Sequence, residues 1–176
     1  LLKQAGYPGG KGLSEITLTT TDDYKDICEF IQHQLSDIGI EISIEVSTGA
    51  TFRDMVANSK LLFFRGSWIA DYPDAENYLA LFYSKNFSPG GPNYTHYKNE
   101  EYDKLYKKAL ATINDNKRQE LYRRMDQIII NDAPIVPLYY DQVVRFVHKD
   151  VKNLSSNAMN LLTLKYVKKE DHDTDN

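Results

Sequence analysis

Residues 15–46 read EITLTTTDDYKDICEFIQHQLSDIGIEISIEV, and the hydrophobic pattern of this segment changes twice. The segment opens with alternating, β-branched residues, which predict a strand, and residues 40–46 alternate again. Between them we expect a helix that is capped by Asp22 or Asp23 and ended by Gly39. Its apolar stripe comprises Tyr24, Ile27, Cys28, Ile31, Leu35 and Ile38. The order strand, long helix, strand predicts a parallel pair with a right-handed crossover.

The next part of the chain extends this α/β pattern. Residues 51–58 predict a short helix, and residues 61–69 are apolar enough for a central third strand. A short apolar helix is predicted at residues 78–83, before a polar, Gly- and Pro-rich loop at residues 84–97. The first part of the chain therefore predicts a β-α-β-α-β sheet with helices packed on it.

The second half of the chain predicts a helical hairpin and further strands. Asn99 and Asp115 each mark the start of a helix with an inward apolar stripe, and Pro134 stops the second helix. Strands are predicted at residues 135–140, 143–148 and 161–167. The expected fold class is α/β: a mixed sheet with flanking helices, then a C-terminal helical hairpin and strands.

Composition excludes several classes of protein. The 176 residues carry a net charge of −4, so no nucleic-acid partner is expected. The single cysteine, Cys28, lies in an apolar stripe and excludes an internal disulfide and a Cys-rich zinc site. The four histidines have no ligand spacing. We therefore expect neither a metal nor a cofactor.

The beginning of the chain resembles the end of a helix. Residues 1–5 are followed by Gly6 as a C-terminal stop, with Pro8 beyond it. The chain also opens without an initiator methionine and without the basic start and apolar core of a signal peptide. We interpret it as a fragment of a longer polypeptide, so the missing export signal says nothing about location.

The densest cluster of site-like residues spans residues 64–78. It contains Gly66, Ser67, Trp68, Asp71 and Tyr72, at the carboxyl end of the predicted third strand. In open α/β sheets, ligands bind beyond the carboxyl ends of strands, and a carboxylate beside aromatic rings can hold a cation. The alternative is an ordinary Asp-x-Pro-Asp turn that caps the following helix, with the tryptophan in the core. Spacing alone leaves both interpretations open.

The same stretch carries a resemblance to a known family. Residues 66–79, GSWIADYPDAENYL, resemble the Gly-Trp-x-Ala-Asp-Tyr-Pro-Asp-Pro segment of extracellular solute-binding protein family 5, the oligopeptide- and dipeptide-binding proteins of ABC importers. Residues 1–10 and 117–140 resemble two more motifs of that family, in the same order. The chain departs from the pattern at Ala75, where many members have proline, and at Tyr78, where phenylalanine is usual.

The resemblance implies an exported, two-lobed binding protein without catalytic activity. Residues 1–150 would form a periplasmic-binding-protein-like second lobe, residues 151–168 would begin the return to the first lobe, and residues 169–176 would be a flexible tail. The implied partners are a peptide ligand, the transmembrane permease subunits of an ABC importer and the first lobe of the same parent chain. The implied location is periplasmic or otherwise extracytoplasmic, with a lipid anchor left open.

The resemblance also implies roles for single residues. Asp71 would pair with the α-ammonium group of a peptide, and Trp68 would shape the adjoining pocket. Tyr72, Ser67 and Gly66 complete the expected ligand-binding set. Main-chain groups would hold the peptide backbone in a strand-like pairing, which allows broad sequence preference.

Two other functions remain open at the level of sequence. Relatives on this fold bind nickel chelates, haem or sugars, so the ligand class does not follow from the fold. The acidic residues Asp71, Asp74 and Glu76 could instead serve a hydrolase as an acid/base pair. We consider a solvated turn the better explanation of that acidic cluster.

Overall fold

A computed structural model describes residues 1–157 and 159–170. The β-strands and α-helices, in chain order, are β1 (Ile16–Thr20), α1 (Lys25–Asp37), β2 (Ile42–Val46), α2 (Gly49–Ala57), α3 (Glu76–Leu79), α4 (Glu100–Leu110), α5 (Asp115–Asp132), β3 (Val151–Lys152) and β4 (Lys168–Lys169). Single 3-10 turns lie at Pro8–Gly10, Asp22–Tyr24, Ala80–Phe82 and Ser84–Asn86. The described residues therefore form a mixed α/β fold, as the sequence predicts.

The β1-α1-β2 unit confirms the predicted parallel pair. Ile16 pairs with Ile42, and the register continues without a break to the pair of Thr20 and Val46. Leu18, Cys28 and Ile42 are buried together, so Cys28 is a core residue. The predicted aspartate cap is wrong, because neither Asp22 nor Asp23 makes a capping side-chain bond and both lie in a 3-10 turn before α1.

Helix α1 ends at a close contact between two backbone segments. Gly39 follows the helix with a φ of +83°, in the left-handed region that favours glycine. A Cβ atom on Gly39 would lie 2.4 Å from the carbonyl oxygen of Gly9, and one on Gly10 would lie 1.6 Å from the carbonyl oxygen of Gly39. Side chains are therefore excluded at both Gly10 and Gly39 by the approach of the other backbone.

The predicted third strand at residues 61–69 is wrong except at one point. A single parallel bridge joins Thr19 and Phe64. In it, Thr19 N donates to Phe63 O and Arg65 N donates to Thr19 O, both at 3.0 Å. Leu62 is fully exposed and Ile69 is 82% exposed, so the apolar residues of this segment do not fill a central strand. Beyond Arg65, the chain leaves the sheet and leads into the candidate site.

The helical hairpin of α4 and α5 confirms the second predicted unit. Its core contains Tyr102, Ala109 and Met125, all at most 1% exposed. The Asn99 side chain accepts hydrogen bonds from the amides of Glu101 and Tyr102, so the predicted cap of α4 is confirmed. Helix α5 begins at Asp115 as predicted, and the side chain that caps it is Asn114.

The strands predicted at residues 135–140, 143–148 and 161–167 are wrong. Residues 135–149 are exposed, and no strand pairing or bridge in the described part of the chain includes them. The terminal pairing is instead a short antiparallel one, in which Val151 pairs with Lys169 and Lys152 with Lys168. The tail expected at residues 169–176 falls mainly on residues 171–176, which lie outside the described ranges. Among the helices that the structure describes, none has both the length and the apolar character needed to cross a membrane.

Candidate ligand-binding site

We call residues 66–78 the site loop. It follows the bridge at Phe64 and ends within helix α3, so it includes the start of that helix. The side chain of Asn77 organises it. Asn77 is 5% exposed, and its Oδ1 atom accepts hydrogen bonds from Trp68 Nε1 at 2.7 Å and from the amide of Asp71 at 3.2 Å. One buried oxygen therefore fixes the indole ring relative to the backbone of Asp71.

The side chain of Asp71 is exposed while its backbone is held. Among residues 1–157 and 159–170, no group forms a hydrogen bond or ion pair with its carboxylate. The nearby Trp68 ring is half-buried. A cation that approaches this carboxylate would meet a negative charge on a fixed backbone, next to an aromatic surface.

Tyr72 is attached to helix α3 by a carboxylate. Its hydroxyl donates to Glu76 Oε2, and the hydroxyl of Tyr106, on α4, donates to Glu76 Oε1. The hydrogen bond to Glu76, together with burial, raises the pKa of the Tyr72 phenol, while a hydrogen bond to Asn77 partly lowers it. The Tyr72 phenol therefore stays protonated, as a donor to Glu76 must.

Asp74 connects the site loop to the second helix of the hairpin. Its Oδ1 atom accepts from the amide of Glu76 at 2.9 Å, and its Oδ2 atom lies 3.4 Å from Arg118 Nη2 on α5. Burial and a hydrogen bond to Asp74 raise the pKa of Tyr122, also on α5, to about 12. Two acidic side chains of the loop, Asp74 and Glu76, thus dock it onto the α4–α5 hairpin.

These contacts combine the two interpretations that the sequence left open. The Asp-x-Pro-Asp turn does hold the start of α3, because Asp74 accepts a hydrogen bond from the amide of Glu76, the first residue of that helix. Trp68 is half-buried and hydrogen-bonded at the edge of the loop, and so is not a core residue. Because the turn uses Asp74, it leaves the carboxylate of Asp71 available.

The structure brings three of the five predicted site residues into one bonded unit. Trp68 and Asp71 share the partner Asn77, and Tyr72 bonds to the adjacent Glu76. Gly66 and Ser67 are exposed, and no side-chain hydrogen bond in the described part of the chain joins Ser67 to that unit. A Cβ atom on Gly66 would meet the Phe64 ring at an ordinary 3.7 Å, so the backbone does not require glycine there.

Sequence reasoning missed two residues that hold the site. The sequence predicts only that Asn77 lies in the loop before the short helix. A polar residue so close to the apolar Leu79 is the one signal that points to a buried polar contact. Tyr106 was assigned only to the inward stripe of its helix. Its buried ring is indeed in the core, and the hydroxyl that reaches Glu76 has no signature in the sequence.

Comparisons with known proteins identify the family to which the chain is similar. The family model for bacterial extracellular solute-binding proteins, family 5 (Middle), matches residues 1–90. The dipeptide-binding protein DppE of Bacillus subtilis is 29% identical over 160 residues, which are 89% of this chain and 29% of DppE. Heme-binding protein A of Haemophilus influenzae is 27% identical over 143 residues, 78% of this chain and 26% of that protein.

A solved structure is similar as well. The periplasmic binding protein DppA of Helicobacter pylori, in complex with the peptide STSA, is 33% identical, with a TM-score of 0.71 over 78% of this chain and 27% of that chain. The chain thus spans less than a third of the length of each of these three proteins. Together, the match over residues 1–90, the fold and these relatives show that the chain belongs to the family 5 bacterial extracellular solute-binding proteins.

Proposed function

We propose that this chain is the second ligand-binding lobe of the substrate-binding component of an ABC importer, and that the parent protein binds oligopeptides or dipeptides. Family membership and relatives named for dipeptide and oligopeptide binding support this proposal. The observation that carries it is the pair formed by Asp71 and Trp68. An exposed carboxylate without a partner in the described chain stands on a backbone that Asn77 ties to an aromatic ring.

The ligand group that best fits the exposed carboxylate of Asp71 beside Trp68 is an amine. A peptide ammonium ion that leaves water needs a carboxylate, because an unpaired buried charge is costly. Asp71 supplies that charge, and the Trp68 and Tyr72 rings cover the adjoining part of the ligand. Gly66 and Ser67, on the exposed approach to Trp68, leave backbone groups available for strand-like pairing with the peptide.

The parent protein works by closing two lobes around the ligand. We assign residues 1–150 to the second lobe and residues 151–168 to the segment that returns to the first lobe. Closure buries the ligand, and the closed form docks on the permease subunits. This role places the parent outside the cytoplasmic membrane, either free or lipid-anchored, and requires no catalysis.

Peptides with free and acetylated amino termini test the proposal. The complete natural polypeptide that contains this chain, called the complete polypeptide below, is titrated by calorimetry with a mixture of tri- to pentapeptides. We expect the free-amine peptides to bind and their N-acetylated counterparts to bind at least about 30-fold more weakly, as when one partner of a buried charge pair is removed. Equal affinity for both sets would contradict the role of Asp71.

A receptor for a non-peptide solute is the second candidate. The similarity to Heme-binding protein A supports it, since a haem has no amine to pair with Asp71. Binding of haem, a nickel chelate or a sugar by the complete polypeptide, with no response to any peptide, would favour this candidate. A hydrolase is disfavoured, because Asp74 and Glu76 already hold the loop in place through Arg118, Tyr72 and Tyr106.

A further inference from the structure

We propose that Asn77 is a positioning residue of the ligand-binding site: its side-chain oxygen sets the relation between the Trp68 ring and Asp71 without touching the ligand itself. The inference rests on the proposed function, because it takes Asp71 and Trp68 as the residues that meet the ligand. It adds a residue that acts through these two.

The geometry at Asn77 is that of a filled acceptor. An amide carbonyl oxygen has two lone pairs, and here Trp68 Nε1 and the amide of Asp71 use them. The Asn77 side chain is buried, so water is a poor substitute for it. Loss of this oxygen would leave two donors without their acceptor, and each would have to turn toward solvent.

The position of Asn77 is itself fixed by the hairpin. Asn77 lies in α3. Two residues further along this helix, the carbonyl of Leu79 accepts a hydrogen bond from the buried hydroxyl of Tyr102 at 2.6 Å. Glu76, on the other side, accepts from Tyr106. Both tyrosines belong to α4, so the Asn77 oxygen is anchored to the helical core and not to a free loop. The positions of Asp71 and Trp68 are thereby fixed relative to the rigid helix α4.

A truncated Asn77 should therefore give a site that keeps its ligand-binding groups but loses their alignment. Asn77→Ala leaves Trp68 and the Asp71 carboxylate in the chain. We expect it to weaken peptide binding roughly tenfold, the effect of one lost buried hydrogen-bond partner. Asn77→Asp adds a buried negative charge beside Glu76, but it keeps an acceptor oxygen at the same distance from the backbone and should keep the indole hydrogen bond.

Trp68 provides a direct readout, since it is the only tryptophan in this chain. The complete polypeptide is labelled with ¹⁵N-tryptophan, and its indole N–H resonance is assigned by its absence in Trp68→Phe. We expect the resonance to move upfield in Asn77→Ala, toward that of a free indole, and to stay in place in Asn77→Asp. Peptide affinity is measured by calorimetry on the same samples.

Asn93→Ala is the matched control. Asn93 is also buried, and its side chain donates to the carbonyls of Tyr83 and Tyr97, away from the site loop. We expect this variant to lose thermal stability while the indole resonance and the affinity remain unchanged. A purely structural role for Asn77 would make Asn77→Ala behave in the same way.

The outcomes separate this inference from the proposed function. An unmoved indole resonance in Asn77→Ala, or a moved resonance with unchanged affinity, would overturn the positioning role. Should Asn77→Ala fail to fold, a free-indole resonance in Asn77→Asp would overturn it. If acetylated peptides bind as well as free ones, the peptide-amine assignment fails, whereas the indole resonance still reports whether Asn77 holds Trp68.

Discussion

Arg118 lies 3.4 Å from the carboxylate of Asp74, so helix α5 holds the turn from which α3 begins. Both side chains are about one-third exposed or less, at 31% and 27%. The same guanidinium also lies 3.0 Å from Asp115, in the first turn of its own helix. The ion pair therefore joins the site loop to the hairpin at a place where water screens it only in part.

Removal of that guanidinium should destabilise the loop. We expect Arg118→Gln to lower the free energy of unfolding of the complete polypeptide by about 1 kcal/mol, because Asp74 then loses a charged partner in a half-buried position. Urea denaturation, monitored by circular dichroism, measures this change in the free energy of unfolding. The control is Arg124→Gln, which breaks an ion pair with Glu101 whose side chains are 61% and 63% exposed. A loss as large in the control would contradict a special role for Arg118.

The Asp71→Asn variant should separate binding from stability. Its carboxylate has no partner within the described ranges, so we expect the free energy of unfolding to change by less than about 0.5 kcal/mol. Affinity for free-amine peptides should fall at least about 30-fold, since the ammonium loses its counter-charge. N-acetylated peptides should bind wild type and variant alike. Unchanged affinity for free-amine peptides would exclude Asp71 as their anchor.

Gly39→Ala should be costly where Gly66→Ala is not. Gly39 has a φ of +83°, and its new Cβ atom would lie 2.4 Å from Gly9 O. We expect a loss of about 1–3 kcal/mol in the free energy of unfolding. A new Cβ atom on Gly66 would lie 3.7 Å from the Phe64 ring, which is an ordinary contact. The free energy of unfolding of Gly66→Ala should therefore stay within about 0.5 kcal/mol of the wild-type value. Thermal denaturation of both variants tests the difference, and equal losses would contradict it.

Tyr122 should make the fold sensitive to alkali. Burial and the bond to Asp74 raise the pKa of its phenol from 10.0 to about 12 in the folded protein. Since the folded state favours the protonated phenol, its contribution to stability is complete below pH 10 and is lost as the pH rises from 10 to about 12. We expect Tyr122→Phe to reduce the loss of stability between about pH 10 and pH 12 in urea denaturation.

The exposed Tyr166 supplies the control for this pH dependence. Tyr166→Phe should leave the alkaline stability profile of the wild-type protein unchanged. Absorbance titration of tyrosinate in the folded protein should also lose one late-ionising phenol in Tyr122→Phe. Identical profiles for the two variants would show that Tyr122 does not cause the effect.

Periodicity predicted the parts of the fold that bury their own apolar face. Leu18, Cys28 and Ile42 pack together within one β-α-β unit, and the stripes of α4 and α5 pack on each other, so local sequence was sufficient. The segments at 61–69 and 135–148 have equally apolar sequences. A strand also needs a neighbour with free backbone groups, and the sequence of a strand does not contain that information.

The residues that we propose to face the ligand could be predicted from the sequence, whereas the residues that support them could not. Trp68, Asp71 and Tyr72 were found because a family motif contains them. Asn77 reaches back nine positions to Trp68, and Tyr106 reaches thirty positions to Glu76. No periodicity relates such pairs, so only the folded chain brings them together.

Because the site loop docks on the hairpin, its ligand specificity cannot be transferred to a relative by exchange of the loop alone. Asp74 and Glu76 belong to the site loop, whereas Arg118, Tyr122 and Tyr106 lie on helices that follow it much later in the chain. A chimera that exchanges residues 66–78 alone imports ligand-facing groups without the side chains that hold them. Recombination between relatives should therefore preserve function only when the crossover points keep the loop and its two helices from the same parent.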